Sequence, residues 1–114
     1  MARTVTDEQR DVCNRIGADC FGLDTSLKVG IALESLDQIP IHAVRLKEEN
    51  GTTGWYIWGG EYSNDLDFYS PLCAAHLPKY LPSVLKYLAL PPGYRFIIDH
   101  KGYEDIWFDS ELIT

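Results

Sequence analysis

Residues 41–47 (Ile-His-Ala-Val-Arg-Leu-Lys) and 55–58 (Trp-Tyr-Ile-Trp) are two β-prone runs on either side of Asn50-Gly51. No other feature restricts the fold of this chain so tightly. Asn-Gly is the favoured pair for a two-residue type I′ turn, because both central positions need positive φ and the turn's twist matches the strands it joins. Pairing about that turn sets Leu46 opposite Trp55 and Val44 opposite Ile57 on one face. Arg45 then lies opposite Tyr56, and Ala43 opposite Trp58, on the other. A longer loop through Thr52-Thr53-Gly54 shifts this register.

The flanking segments supply the rest of a fold. Residues 5–17 predict a helix, with Thr6 as N-cap, Glu8 just inside, Val12 and Ile16 as its apolar stripe and Gly17 as its end. Residues 27–33 alternate weakly and carry β-branched side chains, which predicts a strand. Residues 59–69 form a polar, glycine-containing loop. Ser70-Pro71 predicts a helix start, with Ser70 as cap and Pro71 at the first helical position. Pro78 and Pro82 forbid one continuous helix, since each removes a donor and crowds the preceding turn. A short turn near 72–77 and a helix near 79–89 follow, the latter burying Leu81, Val84, Leu85 and Leu88. Residues 94–98 and 103–108 make a second strand pair through Asp99-His100-Lys101-Gly102. The expected class is α+β: residues 1–114 as a single small domain, with a mostly antiparallel sheet of four to five strands packed by two or three helices. Within it, residues 1–20 form an N-terminal helical segment and residues 27–112 the core.

Composition narrows the function. A chain of 114 residues with 46% hydrophobic and 24% charged side chains can build one core without a metal or disulfide staple. Its 17 acidic residues against 10 basic ones give a net charge of −7, which argues against nucleic acid, because phosphate tracking needs clustered Lys and Arg. No apolar run approaches the roughly 20 residues of a spanning helix, and the first residues lack the apolar stretch of a signal peptide. The expected location is the cytoplasm, away from membranes. There thiols stay reduced, and Cys13, Cys20 and Cys73 show neither zinc nor redox spacing, so each is expected as a small buried hydrophobe.

Chemistry is sparse. His42, His76 and His100 are widely separated, and no nucleophile elbow, phosphate loop or dinucleotide fingerprint occurs. No catalytic residues, metal ligands or cofactor are expected, and the chain is not expected to be an enzyme. Carboxylates and aromatics carry the remaining signal. Glu61, Asp65 and Asp67 crowd one loop, and Glu104 and Asp105 the last strand, where Tyr103 and Asp105 share a face and Glu104 points the other way. With Trp58 and Tyr103 as aromatic anchors, these residues make a candidate protein-binding surface, since such anchors dominate binding hot spots. Two alternatives compete with it. One is a small-ligand-binding or scaffold module, which needs an apolar pocket. The other is a small hydrolase using the carboxylates with His76, which needs Asp67, Glu104 and His76 to converge.

Several linked stretches also resemble a known family. They are Leu27-Lys28-Val29-Gly30-Ile31-Ala32, Thr53-Gly54-Trp55-Tyr56-Ile57-Trp58-Gly59-Gly60-Glu61, Asp67-Phe68-Tyr69-Ser70-Pro71-Leu72, His76-Leu77, residues 86–96 and Tyr103-Glu104-Asp105-Ile106-Trp107-Phe108-Asp109. Together, over about residues 27–112, they resemble the immunity-protein-33-like domain of bacterial polymorphic toxin systems. The resemblance implies a non-catalytic protein that binds and neutralises a cognate toxin. An acidic, aromatic-rich domain suits a basic toxin as that partner.

Overall fold

In the computed structural model, which describes residues 3–114, Thr6 caps the first helix in the way its sequence predicts. The Thr6 hydroxyl accepts from the Gln9 amide at 3.1 Å, and the Gln9 side chain accepts from the Thr6 amide at 2.9 Å. This reciprocal box satisfies two of the donors that every helix start leaves open. The resulting helix α1 (Asp7–Ile16) ends at Gly17 in the left-handed conformation. Gln9 also donates from its side-chain Nε2 to the Leu85 carbonyl at 2.8 Å. One residue thus starts the helix and docks it.

Six strands lie among the described residues: β1 (Lys28–Ile31), β2 (Ile41–Arg45), β3 (Thr52–Gly59), β4 (Ser70–Cys73), β5 (Tyr94–Ile98) and β6 (Glu104–Phe108). Their order across the sheet is β4-β1-β3-β2-β5-β6, antiparallel throughout except for the parallel β1–β3 pair. The α+β class and the mostly antiparallel sheet are as expected. The extra strand is β4, where Ser70-Pro71 predicts a helix start. Pairing with β1 overrides that local signal, and Pro71 fits because β4 is an edge where a missing N–H costs no ladder bond. The helical pieces after it are shorter and tighter than expected. Pro78 and Pro82 limit them to two 3₁₀ segments, Ala74–Lys79 and Pro82–Tyr87.

The hairpin forms with its predicted turn and a different register. Asn50 and Gly51 both take positive φ, 55° and 80°, and the Thr52 amide bonds the Glu49 carbonyl at 3.0 Å. Beyond the turn, however, the Leu46 amide bonds the Gly54 carbonyl at 2.8 Å. Three steps separate Glu49 from Leu46, and only two separate Thr52 from Gly54. One extra residue therefore bulges out on the first strand. The pairs become Arg45 with Trp55, Val44 with Tyr56, Ala43 with Ile57 and His42 with Trp58. Relative to the expected pairing, β2 is slipped by one residue, which puts Val44 on the opposite face from Ile57 and Arg45 on the same face as Trp55. Gly54 permits this, because a Cβ there would lie 2.0 Å from the Leu46 carbonyl oxygen.

The slip buries Arg45 completely. Its guanidinium donates to the carbonyls of Thr53, Gly22, Leu88 and Leu90 at 2.8–3.0 Å and to Glu48 at 3.1 Å. Burial pushes its pKa down to about 10, against the pull of Glu48. Three of the carbonyls, those of Gly22, Leu88 and Leu90, belong to segments outside the strands, so this one cation fixes loops to the sheet. Around it lies the core. Val29, Ile31, Ala43, Trp55, Ile57, Phe96 and Ile98 share one core with Val12 and Cys13 of α1, Leu77, Val84 and Tyr87 of the 3₁₀ segments, and Leu88 just after them. A fully buried aliphatic side chain of this kind contributes about 1.5–3 kcal/mol. All the covering helices lie on this side.

Candidate functional site

Among the described residues, no helix lies over the opposite face of the sheet. Strand alternation and register place two rows of side chains there. One row runs Asp105, Ile97, His42, Trp58, and the other Trp107, Arg95, Val44, Tyr56, Gly30, Pro71. Gly30 is needed in its row because a Cβ would stand 2.5 Å from the Tyr56 ring. Over one half of this face the loop between β3 and β4 folds back and adds Tyr62, Phe68 and Tyr69.

These rings form a connected aromatic layer. His42 stacks flat on Trp58, with centroids 5.0 Å apart and planes 10° from parallel. Tyr62 meets Trp58 edge-on at 5.5 Å, Tyr69 meets Tyr56 at 5.1 Å, and Phe68 bridges Tyr62 and Tyr69. Such pairs are worth about 0.5–1.5 kcal/mol each beyond their area. Trp58, expected as an exposed anchor, is therefore mostly covered, and Tyr62 above it is 58% exposed. Burial lowers the His42 pKa, helped by nearby Arg95, and raises that of Tyr69. Beside the layer, a shallow cleft of about 350 Å³ is lined by Val44, Leu46, Tyr56, Trp58, Tyr62, Tyr69 and Arg95.

The expected acidic residues divide between two places. Glu61, Asp65 and Asp67 are all exposed on the β3–β4 loop. Asp65 and Asp67 share a cleft of about 320 Å³ with Glu34, which sequence reading missed. Glu34 comes from a 3₁₀ turn, Leu33–Ser35, and only the fold brings it to the loop. Leu66, between the two aspartates, is fully exposed. Its sequence signal was present: a leucine in a polar loop with no periodic partner.

The last strand splits its carboxylates as alternation requires. Asp105 is exposed on the open face, in the row that contains Trp58, three strand spacings or roughly 14 Å away. Tyr103 stands exposed at the start of β6. Glu104 points to the helix side, where Arg15 donates at 2.7 and 3.2 Å and the Tyr87 hydroxyl at 2.6 Å. The Arg15 bonds, then that of Tyr87, hold its carboxyl below the usual glutamate range. Its oxygens are occupied within the chain. Asp67 lies beside the β1 end of the sheet and Glu104 on β6, with three strands between. Among the described residues, no three His, Cys, Asp or Glu side chains converge as metal ligands. Burial and a hydrogen bond with Cys20 push the Cys13 thiol up to about 12, the opposite of an activated nucleophile.

With this geometry established, the family model of the Imm33-like domain matches residues 8–109. The chain belongs to the Imm33-like domain family. The match begins inside α1, so the family region includes the helix as well as the sheet. No curated protein and no solved structure matches this Imm33-like domain. Among the described residues no helix is long and apolar enough to cross a membrane.

Proposed function

We propose that this Imm33-like domain acts in the cytoplasm as a stoichiometric, non-catalytic inhibitor that binds and neutralises a basic protein toxin through the open face of its sheet. The observation that carries this reading is the asymmetry of the sheet. One face is sealed by helices, while the other presents a preformed aromatic layer with exposed carboxylates beside it. Rigid aromatics bind at low entropic cost, and an acidic rim speeds encounter with a cation-rich partner. The proposed contact residues are Tyr62, Leu66, Glu61, Asp65 and Asp67 on the loop, with Trp58 beneath them and Asp105 and Tyr103 at β6. Glu104 serves this surface indirectly, by anchoring β6 to α1. The separation of Asp67 from Glu104 favours this reading over the carboxylate hydrolase.

The test is rescue followed by reconstitution. Toxin reading frames from the same genome are expressed singly in a susceptible host, with and without this chain. One of them is expected to be lethal alone and harmless with it. The purified pair is then expected to form a one-to-one complex in which toxin activity is lost, with affinity falling as salt rises. A toxin that stays fully active in excess of this protein contradicts the reading.

A further inference from the structure

The two edges of the sheet are not equivalent. At one end, β4 pairs with β1 through Ala74 to Leu27 and every second residue before it. That leaves only Pro71 and Cys73 with backbone groups facing outward, and Pro71 has no N–H. This edge is short, carries a proline and offers one donor, the pattern by which proteins block strand addition.

The β6 edge lacks these devices. The Asp109 amide bonds the Gly93 carbonyl at 2.7 Å, and the Asp99 amide bonds the Tyr103 carbonyl at 3.3 Å. In an antiparallel ladder, these fix Trp107 and Asp105 as the residues bonded to β5. Glu104, Ile106 and Phe108 therefore turn three N–H and three C=O groups outward, with no proline among them. Phe108 is 50% exposed and Tyr103 52%. Asp105 lies within the edge strand and Glu111 three residues beyond it, both exposed and outside every ion pair among the described residues.

From this geometry we infer that β6 is a strand-addition site, at which an extended basic segment of the toxin pairs with Glu104, Ile106 and Phe108 and continues the sheet. Main-chain bonds supply the register, and the flanking side chains supply the preference. Charge selects the occupant. A strand bearing Lys or Arg meets Asp105 and Glu111, whereas a second copy of β6 in its fullest antiparallel pairing sets Asp105 diagonal to its own mate at about 7–8 Å. The inference rests on the toxin-binding reading and specifies how that binding occurs.

The experiment is residue-resolved amide hydrogen exchange on this chain, alone and with the toxin domain identified by rescue. It is joined to through-hydrogen-bond scalar couplings in the complex. The amides of Glu104, Ile106 and Phe108 are expected to exchange rapidly in the free protein and at least tenfold more slowly in the complex. Their nitrogens are expected to couple to toxin carbonyl carbons. The outward amide of Cys73 on the other edge is expected to stay unchanged. A complex in which the three amides keep their free rates, or slow without couplings, overturns strand addition and leaves toxin binding intact. Protection that rises with the concentration of this protein alone assigns the edge to a second copy and overturns the inference. If no complex forms, the toxin-binding reading fails and the strand-addition site with it.

Discussion

The two faces of one sheet are built from adjacent residues of the same strands, yet they solve different problems. On the covered face, Trp55, Ile57 and Phe96 are sealed under α1 and the 3₁₀ segments, and even a guanidinium is taken out of water and shared among four carbonyls. On the open face, His42 stacks on Trp58, and Trp58 and Tyr56 pack against loop aromatics, with carboxylates at the margin. The covered face is held by burial that water never contests. The open face holds its shape through ring-on-ring contacts and remains available. If the open face is the recognition surface we propose, strand alternation separates stability from recognition, and substitutions on the two faces should have opposite signatures.

The largest effect should come from Arg45. Arg45→Met removes a donor from four carbonyls, of which that of Leu88 keeps another side-chain donor, the Trp55 indole N–H. The change is expected to cost about 3–5 kcal/mol in urea unfolding, while the fraction that still folds binds toxin normally. Equal losses of affinity and stability would erase the distinction between the faces. Next, Leu66→Ala and Tyr62→Ala together should weaken toxin binding by about 2 kcal/mol or more in calorimetric titration. Leu66→Ala should change stability by less than about 0.5 kcal/mol, and Tyr62→Ala should cost about 1–3 kcal/mol through its two ring contacts. Reversal of Glu61 and Asp67 to Lys acts through the field rather than through contact. It should slow association about tenfold at low salt and flatten the salt dependence of the on-rate in stopped-flow mixing.

The smallest effect concerns Glu104. Its carboxyl pKa is depressed in the fold, so its contribution is present above the unfolded value and is lost as pH falls through the folded one. Stability should therefore drop below pH of about 4.3. Glu104→Gln should remove part of that drop, at a cost of about 1 kcal/mol near neutrality, modest because the Arg15 partner is half exposed. Toxin affinity near neutral pH should fall by much less than for the loop variants, because Glu104 acts only through the anchoring of β6.

Much of this comparison is legible in the chain, and the parts that are not have a common cause. Local chemistry is self-announcing: Thr6 and Gly17 bound α1, Asn50-Gly51 takes its type I′ turn, and residues 94–98 pair with β6 through the expected connection. The register of β2 on β3 is not local. It depends on Arg45 finding carbonyls at Gly22, Leu88 and Leu90, residues 23 to 45 positions away, and the bulge before Glu49 accommodates that demand. The strand at Ser70-Pro71 is hidden for the same reason, since a helix cap and an edge strand share that dipeptide and only pairing with β1 decides. At the candidate site, the acidic loop and the aromatic runs can be read directly. Glu34 joins them only through the fold, and Glu104 leaves them because Arg15 and Tyr87 claim its oxygens.

The central claim, that the open face is the recognition surface, is tested most directly by mapping backbone amide shifts as the toxin domain is titrated into the labelled protein. Perturbations are expected to concentrate at residues 60–69, at His42, Val44 and Trp58, and along β6, with α1 and Pro82–Tyr87 quiet. Perturbations centred on α1 and the 3₁₀ segments, with the aromatic face silent, would contradict it.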